Sequence, residues 1–343
     1  MLLEWLRNKP INKLGIYRNF IPSALPFHAR IEYKTSPDPY FPRRGSKCPL
    51  WKAAATRPLT RKENRAEEQM SKARCAFCIG LLLSSTSAFG QDGFLSNWLD
   101  RVTQTENEQP HWAVPLATTT PTLHQLFRYD IQRQTYNSGV TATNYGVGKG
   151  LEIIPEKSVE VILAVPPYIV NNPNSPNDGF GDWQFLVKYR IAAASEEGGN
   201  YILTAFYQMS LPTGQYRQGA LSPIITPTIA YGKGYRDFAL QGTLGGSLPT
   251  GNTATIGRTV LWNNALQYRI LKKIWPETEF NFTHYYEGSH NGHSLLYVTP
   301  GLVLGRFPIH NRFAFVIGGG FQIAATSFHP TNHNGILSIR FPF

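Results

Sequence analysis

Trp183-Gln184-Phe185-Leu186-Val187-Lys188-Tyr189-Arg190-Ile191 alternates without interruption. Trp183, Phe185, Val187, Tyr189 and Ile191 fall on one face, and Gln184, Leu186, Lys188 and Arg190 on the other. Side chains of a strand point to opposite faces in turn, so a period of two is a strand signal. The same texture spreads in both directions. Phe238, Leu240, Leu244 and Leu248 alternate with Asp237, Ala239, Gln241, Thr243 and Ser247. Phe313, Phe315, Ile317, Phe321 and Ile323 face away from Ala314, Gly318, Gly320, Gln322 and Ala324. From about residue 122 onward no sustained helical period interrupts this texture.

Alternation by itself also suits a soluble β-sandwich or a lipocalin-type barrel with one wet face. Three features point elsewhere. The apolar face is heavily aromatic, and the strands run to about ten residues, the length a membrane strand needs. The other face is small and polar, not a second packed core. The chain ends Leu337-Ser338-Ile339-Arg340-Phe341-Pro342-Phe343, with Leu337, Ile339, Phe341 and Phe343 on one face. A terminal aromatic on an apolar strand face resembles the C-terminal signal by which outer-membrane barrels are recognised for assembly. Pro342 costs one ladder donor at a strand end.

The pattern predicts an all-β chain: a single transmembrane antiparallel β-barrel of about 12 strands. The strands are expected at 122–134, 147–154, 158–169, 181–193, 200–211, 223–231, 235–248, 258–271, 276–286, 293–306, 311–326 and 333–343. Connections after odd strands are longer and rich in Gly, Asn, Ser and Pro; those after even strands are mostly tight, such as Gly232-Lys233-Gly234. An even count with long loops on one side is the outer-membrane arrangement, and closure satisfies every backbone group in lipid. Ser-Leu-Pro-Thr-Gly occurs at 210–214 and again at 247–251, each where a strand runs into a long loop. No Lys-Ser/Thr follows either Gly, so the repeat is loop geometry, not a phosphate cradle.

The net charge of +11 suggests a polyanion binder until the chain is divided. Residues 1–69 hold 14 basic and 6 acidic side chains, and 91–343 hold 17 and 16. The basic excess lies upstream, and a nucleic-acid reading loses its support. Cys48, Cys75 and Cys78 also lie upstream of residue 91, so the remainder has no disulfide framework and no thiolate site. Residues 70–90 run from Met70 through Lys72 and Arg74 to an apolar stretch, Cys75 to Leu83, and end at Ala88-Phe89-Gly90 before Gln91. That order is a secretory signal cut between Gly90 and Gln91, its apolar run about half of the roughly 20 residues a spanning helix needs. Translation is then expected to begin at Met70. Residues 1–69 would be a non-native extension or a disordered leader, 91–119 a periplasmic leader, and 120–343 the barrel. Ser96 is expected to cap a brief helix over 97–102, before the Pro- and Thr-rich stretch 115–121.

The pieces Gly179-Phe180-Gly181-Asp182-Trp183 and Lys188-Tyr189-Arg190, with the paired Leu-Pro-Thr-Gly exits, resemble the outer-membrane proteins grouped as the putative meta-pathway phenol-degradation family. The resemblance covers roughly 120–343. It implies a transporter- or channel-like protein of the bacterial outer membrane, tied in some members to breakdown of aromatic compounds.

Alternation turns Arg128, Asp130, Asp182, Lys188, Arg190, Asp237, Arg269, Glu279 and Arg340 inward. Such a lining has both charge signs and no dominant one. The expected function is passive passage of small solutes, aromatic or hydrophobic ones among them. The alternatives are a structural or surface-interaction barrel with a closed lumen, its inward charges paired across it, and a membrane-embedded hydrolase. No nucleophile motif surrounds any Ser, so no enzyme activity and no catalytic residue is expected. His290, His293, His329 and His333 share the last two long loops, at a spacing that metal ligands can have, but polar loop composition accounts for them better. No cofactor or metal is expected; the partners are outer-membrane lipid, the barrel-assembly machinery and small solutes.

Overall fold

The computed structural model describes residues 92–147 and 149–343. The expected upstream segment 1–69, the signal 70–90 and the cleavage residues Ala88, Gly90 and Gln91 lie outside the described residues. The described chain opens with helix α1, Asp92–Asn107. It begins well before the expected 97–102, and Ser96 lies within it, its hydroxyl donating to the Gly93 carbonyl at 3.1 Å.

Twelve antiparallel strands follow and close on themselves. They are β1 (Leu126–Tyr136), β2 (Thr141–Tyr145 and Gly150–Glu156), β3 (Val159–Ala164 and Tyr168–Val170) and β4 (Gly179–Phe180 and Trp183–Ala194). Then come β5 (Tyr201–Leu211), β6 (Ile224–Tyr235), β7 (Phe238–Pro249), β8 (Thr259–Tyr268), β9 (Ile274–Tyr285), β10 (Ser294–His310), β11 (Phe313–Ala324) and β12 (Thr331–Pro342). Each strand pairs with the next, and β1 pairs with β12 from Leu126↔Pro342 to Tyr136↔Thr331. The two pieces of β2 both lie against β1, and the pieces of β3 and β4 follow them in turn. Two breaks have sequence causes: Gly146 takes a φ of 83°, and Pro166-Pro167 cannot donate to a ladder. A turn over 269–273, with Leu271 and Lys272 at positive φ, ends β8 earlier than the expected 271.

The faces follow the alternation. Trp183, Val187, Tyr189 and Ile191 are exposed on the outer wall, as are Phe238, Leu244, Phe313, Phe321 and Ile323. Lys188 and Arg190 are buried inside. Leu337, Ile339 and Phe341 stay on the outer face, where Phe315 meets Phe341 with ring centroids 5.7 Å apart and Phe313 meets Phe343 at 5.9 Å.

The interior is filled differently from the expected pattern. Residues 109–125 rise into the barrel and return, and β1 therefore starts at Leu126 and not 122. The rising leg brings Trp112 and Leu116 against Ile202, Ala239, Trp275 and Val303 in a small apolar cluster. A Cβ on Gly301, Gly318 or Gly320 would stand 2.5 to 2.7 Å from a Leu116 methyl carbon, so bare backbone makes the bed for this side chain. Helix α1 lies at the turn end. Its Trp98 indole donates to the Ile154 carbonyl at 2.7 Å, and Arg312, in the β10–β11 turn, donates to Thr103 at 2.7 Å.

Candidate functional site

The lumen has two storeys. In the lower one, charged side chains of the wall hold the leader loop by its backbone. A non-repetitive segment enclosed in a barrel cannot bond to itself as a helix or ladder does, so its N–H and C=O groups need partners from the wall. Arg128 and Arg340, cross-strand neighbours on β1 and β12, supply donors. Arg128 donates to the Pro115 carbonyl at 3.1 Å and the Leu116 carbonyl at 2.6 Å, and pairs with Asp130 at 2.8 Å. Arg340 donates to the carbonyls of Val114 and Pro115, the latter at 3.0 Å, and to Ser338 at 2.9 Å. Two adjacent guanidinium groups repel; Asp130 and three carbonyl oxygens offset that. On β9, Glu277 accepts the Leu116 N–H at 3.0 Å, and Glu279 accepts those of Ala117 (2.8 Å) and Thr118 (2.5 Å). Cations thus take the carbonyls of 114–116 and carboxylates take the amides of 116–118.

The returning leg is held on the other side. Thr204 donates to the Pro121 carbonyl at 2.7 Å, and Lys188 to that of Thr122 at 3.2 Å. Lys188 pairs with Glu160 at 2.9 Å, both side chains almost wholly buried, and Glu160 accepts the His124 N–H at 2.6 Å. The two legs are tied by Gln109, which donates to the Leu123 carbonyl at 2.6 Å and accepts its N–H at 3.0 Å. Gln241 joins both legs, donating to the Ala113 carbonyl at 2.8 Å and accepting from Thr120 at 2.6 Å.

The upper storey, toward the long loops, is lined by carboxamides. Asn334 donates to Gln322 at 2.7 Å, Gln322 to Asn281 at 3.3 Å, Asn281 to Asn263 at 3.3 Å and Asn263 to Thr243 at 3.0 Å. Asn144 donates to Gln134 at 3.2 Å and Gln208 to Gln184 at 3.1 Å. The register sets Thr243, Asn263 and Asn281 opposite one another in turn, and likewise Gln322, Asn334 and Gln134. The apex of the leader loop reaches this belt, where Asn281 donates to the Thr118 hydroxyl at 3.1 Å.

Of the residues singled out from sequence, Arg128, Asp130, Lys188, Glu279 and Arg340 are brought together around the loop. Arg190 lies lower, donating to the Thr105 carbonyl of α1 at 2.8 Å and pairing with Glu108 at 3.1 Å. Three lie at a strand break or a hairpin end. Arg269 lies just past the end of β8 and, with Asp237 of the β6–β7 turn, forms a cluster with Glu196, because the hairpins end there. Asp182, in the break of β4, turns to the loop after β5 and accepts the N–H groups of Gly214 (2.8 Å) and Ala220 (2.7 Å). The carboxamides were passed over as a set, although alternation already put them on the inward face. Glu160 and Glu277 were missed too.

The four loop histidines do not converge. His293 stacks on Phe328 at 4.4 Å, His290 lies 5.0 Å from the same ring, His329 bonds within its own loop, and His333 rests on Phe321. Among the described residues no three His, Cys, Asp or Glu side chains are grouped as a metal would need. Among the described residues a Ser–His pair stands on the outer wall near the long loops, His284 Nδ1 to Ser294 Oγ at 2.8 Å.

No family model matches the chain, and no curated relative matches it. Several solved structures are similar in outline. The COG4313 outer membrane channel from Pseudomonas putida F1 is 14% identical, with 67% of this chain and 98% of that one covered, at a TM-score of 0.46. The NanC porin is 8% identical, with 64% and 98% covered, at 0.43. The translocator domain of the autotransporter NalP from Neisseria meningitidis is 13% identical, with 80% and 97% covered, at 0.38. At such identities and scores the likeness assigns no function.

Proposed function

We propose that this chain is a porin-like channel of the bacterial outer membrane, for passive passage of small solutes, stopped by its own leader loop. One observation carries the reading: the interior is predominantly polar and wide enough to hold two passes of chain. Side chains alone fill the narrowest barrels, whereas wider ones have a polar lumen that is open or plugged. The aromatic outer wall and the closed ladder supply what a bilayer requires. Outer-membrane lipid is then the surrounding partner, and the face Leu337, Ile339, Phe341 and Phe343 is what the barrel-assembly machinery would read.

The aromatic solutes implied by the phenol-degradation resemblance belong to this proposal only if they carry hydrogen-bonding groups, because the upper lumen is a belt of amides. The reading includes no enzyme. His284 offers Nδ1 to Ser294, and no carboxylate or carboxamide orients its Nε2 among the described residues, so the pair lacks the third member that a hydrolytic triad uses.

Planar-bilayer conductance and liposome swelling test the proposal. The processed protein should conduct weakly. Removing 110–119, or replacing both clamps as Arg128→Ala with Arg340→Ala, should raise conductance several-fold. The filled lower lumen also favours a second reading, a closed barrel whose long loops carry its role. Absence of conductance and solute flux in every variant would decide for that one.

A further inference from the structure

We propose that Lys149, with Gln184 and Thr119, forms a binding site for a small organic carboxylate inside the barrel, at the apex of the leader loop. The site rests on the channel reading for its access.

Lys149 stands in the interruption of β2. The amides of Gly146 and Val147 both bond to the Asp130 carbonyl, at 2.7 and 3.3 Å, which takes the strand out of its regular ladder. The Lys149 carbonyl is kept in place by the Val165 N–H at 3.0 Å. Its side chain lines a cavity of about 160 Å3 together with Thr119, Ile162, Ala164, Gln184, Leu186 and Gln208.

The other cations inside the barrel all have partners. Arg128 has Asp130, Lys188 has Glu160, Arg190 has Glu108, and Arg340 has two carbonyls and Ser338. Lys149 alone among them has neither a carboxylate within ion-pair distance nor a side-chain hydrogen bond among the described residues. An enclosed ammonium without a partner is unfavourable, so a cavity built beside one is suited to an anion.

The surroundings narrow the class. Gln208 donates to the Gln184 oxygen, which leaves the Gln184 amino group unspent, and the Thr119 hydroxyl is unspent as well. Three residues with unspent donors, Lys149, Gln184 and Thr119, therefore line the cavity. Ile162, Ala164 and Leu186 offer an apolar wall that an inorganic anion would leave unused. A carboxylate on a short hydrocarbon tail uses both.

Calorimetric titration of the folded, detergent-solubilised processed protein with sodium butyrate, at ionic strength fixed by sodium chloride, tests this. Folding of each variant is checked by its heat-modifiable gel mobility. Lys149→Gln should weaken butyrate about ten-fold or more, and Gln184→Leu by a smaller factor, whereas Lys149→Arg should stay within about three-fold. Equal binding by Lys149→Gln and the parent, or no binding by the folded parent, would overturn the site. So would equal competition by chloride, which would reduce it to a general cationic patch. The titration needs no conduction. A parent that binds butyrate and passes no solute loses the channel reading alone, and one that conducts but does not bind loses this site alone.

Discussion

Glu160 serves two groups at once, the Lys188 ammonium and the His124 amide where the leader turns into β1. Removing one partner of a buried pair leaves the other charge stranded, a loss of about 3–5 kcal/mol. Lys188→Met should lower the unfolding free energy by about that amount, and adding Glu160→Gln should recover part of it. Equilibrium urea unfolding in lipid vesicles measures both. At this scale the sequence was half legible. Alternation told which way Lys188, Arg128 and Glu279 point. It could not tell what they meet, because their partners are carbonyls and amides of a loop without periodicity. Nor could it give the partners of Asp182 and Arg269, since alternation stops being informative where a strand breaks or a hairpin turns.

Among the elements, α1 was half hidden for a similar reason. Its packing stripe is short, with Val102 meeting Leu123 and Ile154, so the pattern is weak. Its docking should respond to pH through Glu106. Burial lifts that carboxyl above its ordinary value, while Arg306, 3.8 Å away, and Arg312 pull it down. A raised carboxyl favours the protonated form when the helix is docked. Docking is therefore strongest below the ordinary carboxylate value and weakens as pH rises through the raised one. A spin label on Asp100→Cys, in protein produced without residues 1–90 so that Cys48, Cys75 and Cys78 are absent, should be more mobile at about pH 7.5 than at about pH 5. Glu106→Gln should flatten that difference. The last element, β12, was fully legible as a strand. Its terminal Phe343 amide donates to the Gln125 carbonyl at 3.1 Å, beside the seam with β1. Deleting Phe343 should lower the folded yield in the outer membrane, read by heat-modifiable mobility; unchanged yield would make the ending incidental to assembly.

For the whole molecule, the strand count, the closure and the outward aromatics could all be read from period two, because a barrel wall imposes it on every strand. The occupied lumen could not, since nothing in 109–125 marks where an irregular segment will lie. The wall makes its own prediction. Leu244 is exposed in the middle of β7, and Leu244→Arg there should cost about 2–4 kcal/mol of folding free energy in vesicles. The same change at Leu248, near the strand end, should cost less.

Both legs of the leader loop enter at the end of the barrel where Gln109 ties to Leu123 and β1 begins. A tether drawing on Asp92 from the turn side would therefore load its contacts in series. First the Trp98 and Arg312 attachments of α1 would part, then the Gln109–Leu123 tie, then the guanidinium and carboxylate grips on 114–118. Contacts broken one at a time yield at low force, as a zip does, and the β1–β12 seam would bear no tension until Leu126 was reached. Pressure from the loop side would meet the same contacts in parallel. A loop held in this way would be mechanically one-directional: weak to a pull from the turn side, firm against a push from the loop side.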